Sequence, residues 1–217
     1  MGGGGNDSRI APNMTAYEAN EGQLDIGDYP TFRCDLPSDA TGNVVIGLPG
    51  EVYEGISIMS FDEDLLAAGT HTVTAYYSGD SKYLPDTDTI TYTITKIPSF
   101  IVMSVPIDNG ETIYALPTIT VTAPSDATGT VTLSLKDLDN NTTDTYTIFL
   151  VDGSGSYDMS NTDINPGDYE LTAIYNGDDK YLPCSEYSDE HGQSNSVTFT
   201  YSYITVNPDP GTIYVEP

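Results

Sequence analysis

One stretch of this chain occurs twice. PSDATGNV begins at Pro37 and PSDATGTV at Pro124, 124 − 37 = 87 residues later. A second pair, YSGDSKYLP from Tyr77 and YNGDDKYLP from Tyr175, is separated by 175 − 77 = 98 residues. Order is kept, and copy two is longer between the two motifs by 98 − 87 = 11 residues. A period this long is the mark of a tandem array, in which each repeat is one folding unit of about 100 residues. No single-core architecture accommodates it as simply.

The register extends beyond the motifs. YPTFRCDL (29–36) aligns with LPTITVTA (116–123), and LAAGTHTVTAYY (66–77) with INPGDYELTAIY (164–175). GETIYALP (110–117) returns at the end as GTIYVEP (211–217) with one residue deleted. The expected organisation is a leader foreign to the native sequence at 1–5, repeat 1 at 6–97 and repeat 2 at 98–203, the latter with loop insertions. The first strand of a truncated third repeat then occupies 204–217. The insertions are expected around Asp137–Thr147 and Cys184–Ser194.

Within each copy the hydrophobic period is two, as in strands with one buried face. Val44, Ile46 and Leu48 alternate with small or polar residues, as do Val131, Leu133 and Leu135. Ile90, Tyr92 and Ile94 face one way while Thr89, Thr91, Thr93 and Thr95 face the other; Val197, Phe199, Tyr201 and Tyr203 repeat that strand. In copy one the strands are expected near 30–36, 43–48, 52–58, 59–66, 70–77 and 89–96, after an opening strand. About seven short strands in about 100 residues predict an immunoglobulin-like β-sandwich, so the fold class is all-β with two such domains in tandem. There is no tryptophan, and the second position of the usual inter-sheet disulfide is Val73 or Leu171. A tyrosine corner is legible in copy two as PGDYELTA, with Tyr169 sending its hydroxyl back to upstream backbone. In copy one that position is His71, whose imidazole is expected to replace the phenol.

These motifs, LPSDATGNV and APSDATGTV with AGTHTVTAYYSGDSKYLP and PGDYELTAIYNGDDKYLP, resemble the bacterial Ig-like repeat modules of tandem cell-surface proteins. They are most similar to those of the adhesin-like proteins of methanogenic archaea. The resemblance implies an extracellular, wall-associated array used for display or attachment. It names no ligand, because the shared residues are turn and core residues.

Thirty-three acidic against six basic residues give a formal net charge of −27. Nucleic acid needs Lys and Arg on its phosphates, and anionic lipid needs the same, so both are excluded as partners. No apolar run reaches the roughly 20 residues of a membrane span. Cys34 and Cys184 fall one in each copy, which rules out a disulfide within either; Cys34 reads as a small buried hydrophobe and Cys184 as exposed.

The two histidines, His71 and His191, stand in no nucleophile motif, and VDGSGS (151–156) reads as a hairpin turn, so the chain is not expected to be an enzyme. The acidic turns SGDSK and NGDDK supply oxygen donors of the kind calcium takes, with Asp80, Asp178 and Asp179 as first ligands. Turns also favour Asp because its side chain caps local amides, so recurrence fits either origin. Asp39 and Asp126 recur in the other motif, and EYSDEHG (186–192) is the densest acidic run. Surface arrays can carry Lys–Asn isopeptide or Thr–Gln ester staples; with Lys82 and Lys180 in exposed turns and only Gln193 near His191, an unmodified chain is expected. Asn13, Asn140 and Asn141 open glycosylation sequons, which places them in exposed loops. The expected role is a monomeric, cofactor-free surface fragment attaching to a protein or glycan of another cell, or to matrix. The competing readings are a stalk that displays a distal domain and a carbohydrate-binding accessory module.

Overall fold

A computed structural model describes residues 4–47, 63–184 and 195–204. The readings over 52–58, 59–62, 186–192, Gln193 and 205–217 lie outside the described residues. The chain divides into two compact units, Met1–Ile97 and Pro98–Pro217. Each is built of strands stacked in two sheets.

In unit one, β1 (Thr15–Glu18) pairs antiparallel with β3 (Phe32–Asp35). The facing sheet has the order β2–β6–β5–β4, from β2 (Gln23–Asp25), β6 (Asp86–Thr95), β5 (Gly69–Tyr77) and β4 (Val44–Gly47). Its antiparallel pairs are β4–β5 and β5–β6, whereas β2 runs parallel to β6. Unit two repeats this plan. β7 (Val102–Ser104), β9 (Thr118–Thr122) and β12 (Ser154–Asp158) make one sheet in the order β12–β9–β7. The other has the order β11–β10–β13–β14–β8, from β8 (Glu111–Ile113), β10 (Thr130–Asp137), β11 (Thr142–Phe149), β13 (Gly167–Tyr175) and β14 (Ser196–Tyr201). Here β8 runs parallel to β14.

The sequence offsets reappear as strand register. Val44 opposes Tyr77 and Val131 opposes Tyr175, so one cross-strand pair carries both the 87-residue and the 98-residue shift. Likewise Ala16 opposes Cys34 as Met103 opposes Val121. The inward phase of each strand forms the core: Val73, Tyr77, Ile90, Tyr92 and Ile94 in unit one, Ile119, Val121, Leu133, Leu171 and Tyr175 in unit two. Cys34 is half-buried against that core, where burial, helped by Asp88 and Asp35, raises its thiol pKa. Cys184 is half-buried rather than exposed, because its backbone exchanges two bonds with Tyr175 at 2.9 and 3.0 Å.

Three further expectations are corrected. The strand read at 59–66 gives way, over its described part, to a 3₁₀ turn at Glu63–Leu66. Leu65 is its single buried anchor, and the amide of Ala67 bonds back to Asp64 rather than across a sheet. The final strand ends at Tyr201, and Tyr203 is exposed. The insertion read at Asp137–Thr147 is not a loop: it is the end of β10, a short turn and most of β11. Asp137 organises the turn by accepting the Asp139 and Asn140 amides at 2.9 Å, and Asn141 takes the positive φ of 54° that closes it. Thr143, Thr145 and Thr147 then alternate with Asp144, Tyr146 and Ile148, and β11 pairs with β10 along its whole length. VDGSGS is the expected hairpin turn, with Asp152 and Gly153 at φ 49° and 71°, the pair that a two-residue turn of matching twist requires.

The tyrosine corner is present. The Tyr169 hydroxyl donates to the Asn165 carbonyl at 2.7 Å, four residues upstream. In unit one, His71 Nε2 lies 2.7 Å from the Ala67 carbonyl, also four residues upstream, so the imidazole makes the same bond as the phenol. The cross-strand partner is exchanged in compensation. His71 opposes Tyr92, whose hydroxyl donates to the Leu65 carbonyl at 2.9 Å, whereas Tyr169 opposes Phe199, which has no hydroxyl. Tyr169→Phe removes a bond worth about 1 kcal/mol, which lowers the midpoint of a domain this size by about 4–8 °C. Calorimetry checks this, and an unchanged midpoint would show the corner to be ornamental.

Candidate functional site

The two duplicated motifs, far apart in sequence, close on one another in each unit. PSDA is a turn: the Ala40 amide bonds the Pro37 carbonyl at 2.9 Å, and Ala127 bonds Pro124 at 2.8 Å. That turn presents Asp39, or Asp126, to the KYLP segment. Asp39 accepts from Lys82 Nζ at 2.5 Å and from the Tyr83 hydroxyl at 2.6 Å; Asp126 accepts from Lys180 Nζ and the Tyr181 hydroxyl, both at 2.5 Å. Each ammonium also stands over its neighbouring ring, 5.2 Å from the Tyr83 centroid and 5.3 Å from that of Tyr181. Lys82 and then Tyr83 hold the Asp39 carboxyl below its ordinary range, and Lys180 and Tyr181 do the same to Asp126.

The second carboxylate of the clamp is Asp80, or Asp178. Asp80 accepts the Thr41, Lys82 and Tyr83 amides at 2.8, 2.8 and 2.7 Å, the Tyr77 hydroxyl at 2.7 Å and the Thr41 hydroxyl at 3.3 Å. Asp178 accepts the Thr128, Lys180 and Tyr181 amides at 2.8, 2.8 and 2.7 Å, with the Thr128 hydroxyl at 3.0 Å. The amides and the tyrosine hydroxyl draw the pKa of Asp80 far down. For Asp178, burial pushes the carboxyl up, but the Thr128, Tyr181 and Lys180 amides prevail and hold it at about 2.

Most of the recurring polar residues therefore have an internal use. Thr41 and Thr128 cap the second carboxylate. A Cβ at Gly129, where φ is 85°, would lie 2.7 Å from the Gly177 carbonyl oxygen, so the loops approach this closely because position 129 is glycine; a Cβ at Gly177, where φ is 77°, would lie 2.7 Å from the Tyr181 carbonyl oxygen of its own turn. Tyr77 and Tyr175 belong to the core, yet their hydroxyls reach the clamp: Tyr77 through Asp80, Tyr175 through the Thr128 carbonyl at 2.8 Å.

Of the expected calcium ligands, Asp80 and Asp178 occupy equivalent places, one in each unit. Asp179 is exposed beside Asp178. A cation at Asp80 or Asp178 would have to displace the amide donors that fix the turn. Among the described residues, no group of three or more His, Cys, Asp or Glu side chains is arranged to hold a metal ion. Lys82 and Lys180 face carboxylates in exposed ion pairs, not the amide side chains an isopeptide would use. Asn13, Asn140 and Asn141 are exposed, and Asn140 Nδ2 donates to Asp137 at 2.8 Å.

Sequence reasoning missed three carboxylates. Glu18 is buried and accepts the Asn20, Gly22 and Thr31 amides at 2.8, 3.2 and 3.1 Å, folding the β1–β2 turn around itself. Its signal was available: Met14, Ala16 and Glu18 share the inward phase, and an acid there needs donors. Asp86 and Asp88 reach across from β6 to β1, and only the tertiary structure brings them there.

No protein-family model matches the chain, and no curated protein matches it either. A solved structure is similar to it. That structure is described as the crystal structure of a tetra-tandem repeat in the extending region of a large adhesion protein, and the two share 14% identity at a TM-score of 0.39. The match covers 89% of this chain, which spans 42% of the other. A likeness of that size assigns no residue a role. No helix among the described residues is long and apolar enough to cross a membrane.

Proposed function

We propose that the chain is a pair of Ig-like modules from an extracellular surface array, and that the modules serve as a structural spacer carrying other parts of their parent away from the cell. One observation supports this reading most. The residues that make the two copies recognisable as copies, Asp39, Thr41, Asp80, Lys82 and Tyr83 with their counterparts, bond to one another and close the module on itself. A recognition surface repeated for binding would instead keep its recurring side chains available. The Ig-like reading is supported by the strand order of each unit, in which the first and third strands share one sheet while β4, β5 and β6, or β10, β13 and β14, lie side by side in the other. The charge of −27 fits a spacer as well, since like-charged modules repel one another and their neighbours.

Attachment is the second reading, and it retains one observation: Phe149 and Val151, just before the turn into β12, are 74% and 73% exposed. The test is binding of the labelled chain to candidate partner cells and a glycan panel, with and without a calcium chelator. The spacer reading expects no saturable binding and no effect of chelation on the melting midpoint. Saturable, competable binding that Phe149→Ala abolishes would replace it with attachment.

A further inference from the structure

The opening segment of unit one follows the closing segment in parallel from Ile10 to Ile26. At the start, the Ile10 amide bonds the Lys82 carbonyl and the Leu84 amide bonds the Ile10 carbonyl, both at 2.9 Å, in a parallel bridge opposite Tyr83. At the end, β2 runs parallel to β6, with Thr93 bonding Gly22 at 2.7 Å and Ile26 bonding Thr95 at 2.9 Å. Between these points β1 belongs to the other sheet, and no backbone ladder joins it to β6.

Two carboxylates fill that interval. Asp86 takes the Thr87 amide on Oδ1 at 2.9 Å and the Met14 amide on Oδ2 at 3.0 Å. Asp88 takes the Thr89 amide on Oδ1 at 2.9 Å and the Ala16 amide on Oδ2 at 2.8 Å. Each thus bridges an amide of β6 to an amide of the opening segment, Met14 just before β1 and Ala16 within it, and the two bridges advance in the same parallel sense as the backbone pairs. Unit two closes its own ends similarly: the Asn109 side chain accepts the Thr198 amide at 2.9 Å, Gly110 bonds Thr198 at 2.7 Å, and Ser202 bonds Ile113 at 3.0 Å.

We infer that each module is built to carry tension between its ends, and that in unit one Asp86 and Asp88 extend the sheared zone across the gap between its sheets. A pull on the two ends of a module drags the opening segment backward and the closing segment forward. Between parallel segments those directions are opposed along one axis, so every bond is strained at once. Antiparallel strands joined at a turn would open one bond at a time instead. The carboxylates add two charge-assisted bonds across the interval where the backbone has no ladder, to the Met14 and Ala16 amides, and each is held in place by its bond to the next amide of β6. This inference rests on the spacer reading.

The experiment holds the full chain by its two ends at constant force and measures how long each module survives. Asp86→Ala with Asp88→Ala is expected to shorten the lifetime of one module about tenfold, the loss of roughly one charge-assisted bond at the barrier, and to leave the other unchanged. Val73→Ala, a core substitution outside the parallel zone, is the comparison, with all variants also unfolded in urea. The inference is overturned if the aspartate variant keeps the wild-type lifetime, or shortens it no more than Val73→Ala does for an equal loss of equilibrium stability. Should the aspartate variant not fold, Thr95→Val, which removes hydroxyl bonds to Leu24 and Asp25 at 3.2 and 2.9 Å, tests the same zone with the same two outcomes. Saturable ligand binding would defeat the spacer reading without altering these lifetimes.

Discussion

Deletion of Asp137–Thr147 is expected to unfold unit two and to leave unit one folded. The deletion would join Lys136 to Ile148. Ile148 stands opposite Val131, five residues back along β10, which is about 17 Å of strand against the 3.8 Å that one peptide link spans. Closing the gap means stripping β11 from β10 and withdrawing Ile148, which is buried, and Tyr146, whose ring lies 4.9 Å from that of Tyr157 on β12. The losses together approach the whole stability of a domain, about 5–15 kcal/mol. Residue-resolved hydrogen exchange checks this, with protection lost in β10, β13 and β14 and kept in β5 and β6. Native protection throughout unit two would show that the hairpin is dispensable.

The second large effect is Asp178→Ala. It orphans three amides and the Thr128 hydroxyl, and it unties the NGDDK turn from the PSDATG turn. Bonds to a charged acceptor are worth about 1.5–3 kcal/mol each when buried. Because Asp178 is half-exposed and water replaces part of what is lost, the expected total is about 2 kcal/mol, or about 10 °C in the midpoint of unit two. Asp178→Asn should fall between, since its carbonyl can still accept from Lys180 and Tyr181 while its amide faces the Thr128 donor. The same bonds set a pH dependence. The folded-state pKa is depressed from 3.8 to about 2, so the unfolded chain takes the proton first as pH falls. The stabilisation is therefore complete above about pH 4 and is lost between pH 4 and 2. Asp39, Asp80 and Asp126 are shifted in the same direction, and the protein as a whole is expected to lose stability over that acid range. Urea titrations at pH 7, 4 and 2 test this. A gap between wild type and Asp178→Ala that stays constant with pH would mean that the carboxylate charge is not what holds the turn.

Much of this architecture is legible in one dimension because its causes are local. Alternation puts Val131, Leu133 and Leu135 on one face whatever the neighbouring strand does, so strand identity and inward phase follow directly from the residues. The duplication then supplies register, since the same two offsets must appear across the same pair of strands. Even the bond made by His71 follows from the position it shares with Tyr169 in the repeat. The sequence misled where two local readings have similar appearance. Asp137–Thr147 looks like an insertion when copies are aligned by their motifs, yet its threonines alternate with Asp144, half-buried Tyr146 and, just beyond, buried Ile148, and only pairing with β10 turns that alternation into an edge strand.

What sequence alone determined, then, is a tandem of two all-β units with their inward faces and their recurring turns. What only the tertiary structure decided is the use of the acids. Asp39, Asp80, Asp86 and Asp88 look alike in composition and in local context, each an acid in or beside a turn. Folding brings Lys82 to the first, the Thr41 amide to the second, and the amides of Met14 and Ala16 to the last two. The physical reason is that a carboxylate has no directional preference of its own strong enough to be read from its neighbours in sequence. Its role is set by whichever donors the chain closes around it, and those lie 39 to 72 residues away.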